Sequence, residues 1–437
     1  MDTKQTFSNS FKDYSYWIDT ETSETSFCTD LPRKADLVII GSGYTGLNVA
    51  IETARAGVDT IIIDKVAIGG GCSSKNGGQV SNVIKPSLKK LSYKFGIETA
   101  KSLKKESVKS VEWLKSFLIS ENIHCDFNQS GLFHAAHTKS YYEEMSKECD
   151  NLYHEDGVEA FSVPIEDMQK EIGSDVYFGG VVYPQHASLN PVKYLNGLVK
   201  KAIKAGVKFV SHCEMINIKD DSKNYAVKTS KGIINTKNVV VATNGYTSQS
   251  SPWLNKRNIP IGSYVISTEE LSEDLVKDLF PSKRHITDSR RMVYYYRASP
   301  DYRRVVFGGR VSSSESDVKA SGPMLYKEMC RIFPQLQGVE ISHSWMGFVS
   351  YTFDKLPHIG KHDGIYYSMG YCGSGIALSS YLGMKLGRKV IGLSGSSTAF
   401  ESIPFPTKPF YNGNPWFLSS LVSFYKFLDR TNINFIR

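Results

Sequence analysis

The sequence predicts an α/β chain, α+β overall, in which a parallel strand–helix–strand unit is joined to a second domain with a mainly antiparallel sheet. Three observations predict it. A continuous apolar run, ADLVII from Ala35, leads into glycines and then a helical pattern; short β-like runs crowd residues 252–342; and a second strand, glycine turn and apolar helix closes the pattern near residues 365–392. The 437 residues are too many for one ordinary core and suggest two to three domains.

The first twenty-odd residues are polar and aromatic, and the pattern begins at ADLVII, a strand buried on both faces. GSGYTG follows at once. Gly41, Gly43 and Gly46 form G-x-G-x-x-G, LNVAIETARAG reads as a helix closed by Gly57, and DTIIID reads as the next strand, ending in Asp64. Each residue type has a reason: Gly41 permits the tight turn, Gly43 lets a pyrophosphate reach the backbone, and Gly46 lets helix and strand approach. The helix start offers free N–H groups, and Asp64 stands where it would accept bonds from a ribose. Such a unit binds a dinucleotide, FAD or NAD. A second glycine-rich segment, IGGGCSSKNGGQ from Ile68 to Gln79, follows where an NAD unit would continue into a helix, and so favours FAD.

ETAKSLKKESVKSVEWLKSFL carries Leu103, Val108, Val111, Leu114, Phe117 and Leu118 at helical spacing and reads as a packed helix. PVKYLNGLVKKAIKAG reads as a helix, VKFVSH as a strand, YAVKTSKG as a hairpin arm, and NVVVATNGYT as a buried strand ending at Thr243, Asn244 and Gly245. IGSYVIST, RMVYYYRA and RRVVFGGR supply the antiparallel sheet. In GIYYSMGYCGSGIALSSYLGMKLGRKVIG, a glycine turn (Gly370, Gly373, Gly375) again aims a helix start at a ligand.

Composition narrows the function. The net charge is +8, but Lys85, Lys89, Lys90, Lys94, Lys101, Lys104, Lys105 and Lys109 fall in one helix-like stretch without interleaved aromatics, a solvated face and no nucleic-acid site. Seven scattered cysteines without a CxxC predict neither a disulfide framework nor a metal site. No apolar run approaches the roughly 20 residues of a membrane span, and the polar start predicts a soluble, cytoplasmic protein.

GSGYTGL, IGGGCSSKNGGQ, NPVKYLNGLVKKAIKAGVKF, VVVATNGYT, the FGGR turn, LPHIG and GYCGSGIAL, in this order over most of the chain, resemble the FAD-dependent D-amino acid oxidase superfamily, in particular its branch containing gamma-glutamylputrescine oxidase and related amine oxidoreductases. The resemblance implies a glutathione-reductase-like Rossmann FAD domain in three segments (25–110, 185–255 and 340–400), a substrate domain (111–184 and 256–339), and a tail (401–437) with an amphipathic helix. It carries over Gly41, Gly43 and Gly46 to the pyrophosphate, Asp64 to the ribose, Ser73 and Ser74 to the phosphates, and Tyr44, Thr45 and Lys65 to the cofactor site. Asn76, Gly77, Gly78 and Gln79 go to the flavin region, Met215, in the strand after the helix, to the adenine, and Thr243, Asn244, Gly370, Gly373, Ser374, Gly375 and Ile376 to the remaining cofactor contacts.

Sarcosine-oxidising relatives attach flavin through a cysteine where Gly347 falls, and dimethylglycine dehydrogenases through a histidine where Lys75 falls, so FAD is expected to be noncovalent. The oxygen-activating and carboxylate-binding lysines of sarcosine oxidases are replaced by Val306 and Ala377. The implied reaction oxidises the C–N bond of a small primary or secondary amine by hydride transfer to flavin N5. The imine then hydrolyses to an aldehyde or keto acid, and oxygen or another acceptor takes the electrons. A dehydrogenase with a non-oxygen acceptor and a noncatalytic flavin subunit are the alternatives. Tyr264, Tyr296, Phe348 and Tyr351 are the candidate pocket rings, Arg297 and Arg310 the candidate partners of an anionic group on the substrate, and His186 and His358 read as structural. A homo-oligomer is compatible with all of this.

Overall fold

A computed structural model describes residues 6–21, 28–156, 158–222, 224–310 and 315–431. In chain order its principal elements are β1 (Phe7–Lys12), β2 (Lys34–Ile40), α1 (Tyr44–Arg55), β3 (Thr60–Ile63), α2 (Ile97–Ser120), β4 (Gly232–Val241), β5 (Ile259–Thr268), β6 (Tyr295–Ala298), β7 (Val305–Gly309), α3 (Val318–Ile332), β8 (Ile341–Tyr351), α4 (Gly375–Val390) and α5 (Leu418–Thr431).

The first sheet is parallel at its centre. β4, β2, β3 and Lys208–Val210 lie side by side, Ile365–Met369 pairs with β4 in parallel, and the hairpin Met215–Asp220 and Tyr225–Thr229 extends the β4 side. β2 explains why its sequence is apolar without alternation. Leu37 and Ile39 pack under α1, α2 and α4, while Val38 and Ile40 pack into a separate cluster on the opposite face with Val227, Ile234 and Met369.

The second sheet has nine strands in the order β1, β8, β5, β7, β6, His285–Asp288, Leu132–Ala135, Gly180–Tyr183 and Phe161–Val163. Its pairings are antiparallel except at β1–β8 and at His285–Asp288 with Leu132–Ala135. One face packs against α3 in a core that includes Tyr264, Ile266, Tyr296, Phe307, Leu325, Met329 and Ile332. On the other, Val265, Val306 and Trp345 cluster with Tyr16, Trp17 and Val192, and Trp345 Nε1 donates to Lys75 O of the glycine-rich loop.

Two boundaries drawn from the sequence move. β8 belongs to the second sheet although 340–400 was assigned to the FAD segments, and α2, although it runs past residue 111, packs on the first sheet. Residues 25–27, 157, 223, 311–314 and 432–437 of the assigned segments lie outside the described residues. The lysine-rich stretch is two helices, Leu88–Phe95 and α2, hinged at Gly96 with φ +84°. Among the described residues no helix is long and apolar enough to cross a membrane.

Candidate active site

The site grows from the C-terminal ends of β2, β4 and Ile365–Met369, where three turns meet. Gly41 has φ +106°, and a methyl group there would lie 2.8 Å from the Ala242 carbonyl oxygen. A methyl on Gly46 would lie 2.0 Å from the Gly41 carbonyl oxygen, so only glycine lets α1 start against the strand. Gly43 is the N-cap of α1 and supplies no side-chain cap; Ser73 Oγ accepts from Tyr44 N at 3.1 Å instead. Gly383 and Gly387 bring α4 against Thr45 and Val49 of α1, and Thr45 Oγ1 bonds the Tyr371 hydroxyl at 2.7 Å. Two helix starts, at Gly43 and Gly375, are thereby held on one side of the sheet; neither N-cap residue caps with its own side chain, and Ser73 takes one N–H of the first.

Asp64 is tied into this turn. Its carboxylate accepts from Ser42 N at 2.8 Å, from Ser42 Oγ, and from Val66 N at 3.1 Å, while Ser42 Oγ accepts from Gly69 N at 2.7 Å. The acid therefore holds the glycine-rich loop to the first turn, a contact the ribose assignment did not include. Lys65, assigned beside it, pairs with Glu214 at the surface.

The glycine-rich loop is held by its own carbonyls. Trp17 Nε1 donates to Asn76 O at 2.8 Å, Trp345 Nε1 to Lys75 O at 2.9 Å, and Arg297 Nη1 to Gly78 O at 3.1 Å and Leu189 O at 2.9 Å. Asn76 folds back on Cys72 O and Ser73 O and accepts from Gly78 N, and the Ser74 hydroxyl is buried on Gly69 O. Asn76 and Ser74 thus set the loop's shape. Gln79 pairs with Ser188 in a two-stranded ladder. Gly77 faces the Tyr295 ring, which a methyl would approach to 2.9 Å, and Gly78 has φ +71°.

On the far side Asn244, with φ +44°, accepts from Gly370 N at 3.0 Å, Thr243 Oγ1 bonds Thr247 Oγ1 at 2.7 Å, and Gly373 has φ +97°. Ser374 caps nothing, and Ile376 is buried in the first core. Met215 does not lie in the strand after the helix. That strand is Lys208–Val210, and Met215 opens the next one with its side chain in the core beside Ile61 and Val241.

The pocket candidates separate. Phe348 and Tyr351 lie on β8 at the turns: Phe348 packs edge-on against Tyr246 with centroids 5.5 Å apart, its N–H points to the Tyr246 hydroxyl at 3.4 Å, and the Tyr351 hydroxyl lies 3.9 Å from where a Gly373 methyl would stand. Tyr296 is a correction. It faces the α3 core, stacks on Phe307 and donates to the Tyr177 hydroxyl at 2.8 Å, because the pleat points Tyr295 and Arg297 at the loop and Tyr296 away from it. Tyr264 shares that core and donates to Glu315 at 2.8 Å.

The two arginines are corrections as well. Arg297 is buried on backbone carbonyls, and burial lowers its pKa to about 10, still charged at neutral pH. Arg310 Nη1 is held by Glu315 at 2.9 Å and Gly262 O at 3.0 Å, and its buried Nε lacks an acceptor.

Tyr246, Tyr295, Trp17 and Trp345 were missed. Tyr295 stands beside the candidate Tyr296 in a run of three tyrosines that leaves the phase of the pleat open; the other three act across elements distant in sequence. Tyr246 lies over Gly71 and is 41% exposed, and burial raises the pKa of the Cys72 thiol beneath to about 11. Gly347 faces Cys72 Sγ and Lys75 Cβ, each 3.3 Å from where its methyl would be.

These residues fit a flavin dinucleotide. The two helix starts suit its phosphates, and the turn at Gly41 and Gly43 is one that side chains would fill. Known proteins agree. The chain is 29% identical over 404 residues to the gamma-glutamylputrescine oxidoreductase of Escherichia coli, covering 91% of this chain and 93% of that protein. It is 27% identical over 430 residues to a probable oxidoreductase, OrdL, of Haemophilus influenzae, covering 95% and 97%. The crystal structure of glycine oxidase from Geobacillus kaustophilus superposes with a TM-score of 0.71 at 18% identity, over 86% of this chain and 99% of that one. L-Proline dehydrogenase from P. horikoshii gives 0.68 at 18% identity, over 84% and 96%. Residues 36–388 match the family model of the FAD-dependent oxidoreductases, DAO, and the chain is an FAD-dependent oxidoreductase of that family.

Proposed function

We propose that this enzyme oxidises the C–N bond of a small primary or secondary amine, with FAD held noncovalently. The observation that carries the reading is the aromatic wall of Tyr246 and Phe348 beside Gly71 and Cys72, joined by the Tyr351 hydroxyl near Gly373. The likeness to a gamma-glutamylputrescine oxidoreductase over nine-tenths of both chains supports an amine as the substrate class.

FAD, when bound, supplies the two-electron acceptor for the hydride that leaves the carbon beside nitrogen. The nitrogen loses a proton, and the resulting imine takes up water to give an aldehyde or keto acid plus ammonia or an amine. The chain's task is to orient that C–H bond and keep the nitrogen unprotonated. Tyr246 and Phe348 offer apolar faces that disfavour an ammonium's full hydration shell. A tyrosine's ordinary pKa of about 10 leaves the Tyr246 phenol neutral at pH 7, so it acts as a hydrogen-bond partner and not as a base. Uncapped N–H groups at Gly375 favour negative charge at that end of the site. An anionic group on the substrate loses its support, since Arg297 and Arg310 already serve carbonyls and Glu315.

Noncovalent binding follows from Gly347 and Lys75 at the two attachment positions, and acid denaturation should release all yellow cofactor into the supernatant; fluorescence on the polypeptide would contradict it. The test of function is anaerobic bleaching of the flavin by gamma-glutamylputrescine, putrescine, glycine, L-proline and D-alanine in parallel. Fastest bleaching by an aliphatic amine or its gamma-glutamyl derivative is expected, and fastest bleaching by D-alanine with amines inert would overturn the proposal.

A further inference from the structure

Helix α5 is fastened to the face of the second sheet that meets the glycine-rich loop. Along β5 the pleat sends Ser263 and Ile261 to one side, and Ser263 marks which side that is. Its Oγ bonds the Tyr295 hydroxyl at 2.9 Å, and the Tyr295 ring lies against Gly77. Its partner across the ladder, Gly347, faces Cys72. Ile261 is the next side chain in that row, about 7 Å beyond Ser263. It pairs with Val349, the neighbour of Phe348 in the aromatic wall. Leu418 and Val422 of α5 pack there with Ile261 and Met292, so the helix closes a row of side chains that begins at the loop.

Met292 belongs to the connection between His285–Asp288 and β6, and that connection is fixed at two levels. At its base the buried Asp288 carboxylate accepts from Tyr294 N at 3.1 Å and pairs with Arg290, while Asp288 N donates to Tyr294 O at 3.1 Å. At its tip the Asp429 carboxylate of α5 accepts Arg291 N at 3.0 Å on one oxygen and Met292 N at 2.9 Å on the other. Two adjacent N–H groups on the two oxygens of one carboxylate set both the position and the tilt of the turn, and the charge strengthens each bond. The Arg291 guanidinium lies on the helix side, 5.9 Å from the centroid of the Tyr425 ring. Ile261, Met292 and Leu418 thus make an apolar end that suits an alkyl arm and not an anion.

We propose that α5 is the outer wall of the substrate site. Asp429 is a positioning residue that holds the Arg291–Met292 turn, and Met292, with Ile261 and Leu418, limits the length of the alkyl arm that the site accepts. Because this rests on the amine lying beside Phe348, the experiment uses whichever compound of the panel bleaches the flavin fastest, so that the substrate class and the wall fail separately. Anaerobic flavin reduction in the full-length, flavin-loaded protein is titrated with that compound and with its homologue longer by two methylenes. Asp429→Asn keeps the size and one acceptor oxygen but sets an amide NH2 against a backbone N–H. It should raise the dissociation constant at least fivefold, with the limiting rate within twofold of the parent and the flavin spectrum unchanged. Met292→Ala should move the preference between the two homologues at least fivefold toward the longer, and it decides the proposal if Asp429→Asn does not fold. Phe424→Ser, on the exposed side of the same helix, should match the parent in both. A parent-like dissociation constant in Asp429→Asn, or a parent-like preference in Met292→Ala, would overturn the proposal. So would equal shifts in Phe424→Ser, which would leave α5 a cap on stability alone.

Discussion

Strand β6 presents two faces to two different neighbours. Toward the glycine-rich loop, Tyr295 bonds Ser263 Oγ at 2.9 Å and Arg297 holds the carbonyls of Gly78 and Leu189. Toward α3, Tyr296 stacks on Phe307 and bonds Tyr177. Adjacent residues of one strand therefore serve separate ends, loop geometry on one face and core cohesion on the other. Substitutions one residue apart should separate cofactor retention from fold stability.

Replacing Arg297 by Met tests the loop face and carries the largest expected effect. It keeps the aliphatic stem but withdraws the guanidinium from the carbonyls of Gly78, Leu189 and Ala298, of which Gly78 O keeps the Leu189 N–H, costing about 2–4 kcal/mol. FAD retention after dialysis should fall at least tenfold more than in any core-face variant. Equal retention would break the distinction between the faces.

A pH titration of stability probes the far part of the same sheet. His186 and His285 are buried with parallel rings, and burial lowers the pKa of both, that of His186 to about 3. Between pH 6.5 and 3 the unfolded chain binds more protons at these sites than the folded one, so stability is complete above pH 6.5 and declines as pH falls. The slope is at most about 1.4 kcal/mol per unit for each histidine. Chemical denaturation at pH 7, 6 and 5 measures it; the His186→Gln variant should show a shallower decline, and an unchanged slope would contradict the assignment.

Tyr296→Phe carries the smallest effect. It removes one buried hydroxyl pair and should cost about 1 kcal/mol in denaturant unfolding. The flavin spectrum and its rate of reduction should stay those of the parent. A slowed reduction would return Tyr296 to the pocket.

The difference between the two faces also explains what could be read in advance. Gly41, Gly43 and Gly46 were legible because each also answers to a local constraint, a turn with φ +106°, an N-cap and a contact five residues away, although Gly41 and Gly43 meet Ala242 and Ser73 as well. Tyr296 was misplaced because RMVYYYRA contains three consecutive tyrosines, and composition does not say which phase of the pleat meets the loop. Trp17 and Trp345 were illegible as loop anchors because they reach Asn76 and Lys75 across 59 and 270 residues. β8 was drawn into the wrong segment for a related reason. Its partners, β1 and β5, are joined to it only by the sheet, and nothing in ISHSWMGFVSY distinguishes the two sheets.

The most direct test of the central claim is single-turnover anaerobic flavin reduction in the parent and in Tyr246→Ala, with the best amine from the panel. Tyr246 touches the loop and Phe348 but no core, so the variant should fold and retain FAD. The account predicts a limiting reduction rate at least tenfold lower, because the wall that orients the C–H bond is lost, with the flavin spectrum little changed. An unaltered limiting rate would contradict the claim that the aromatic wall holds the amine.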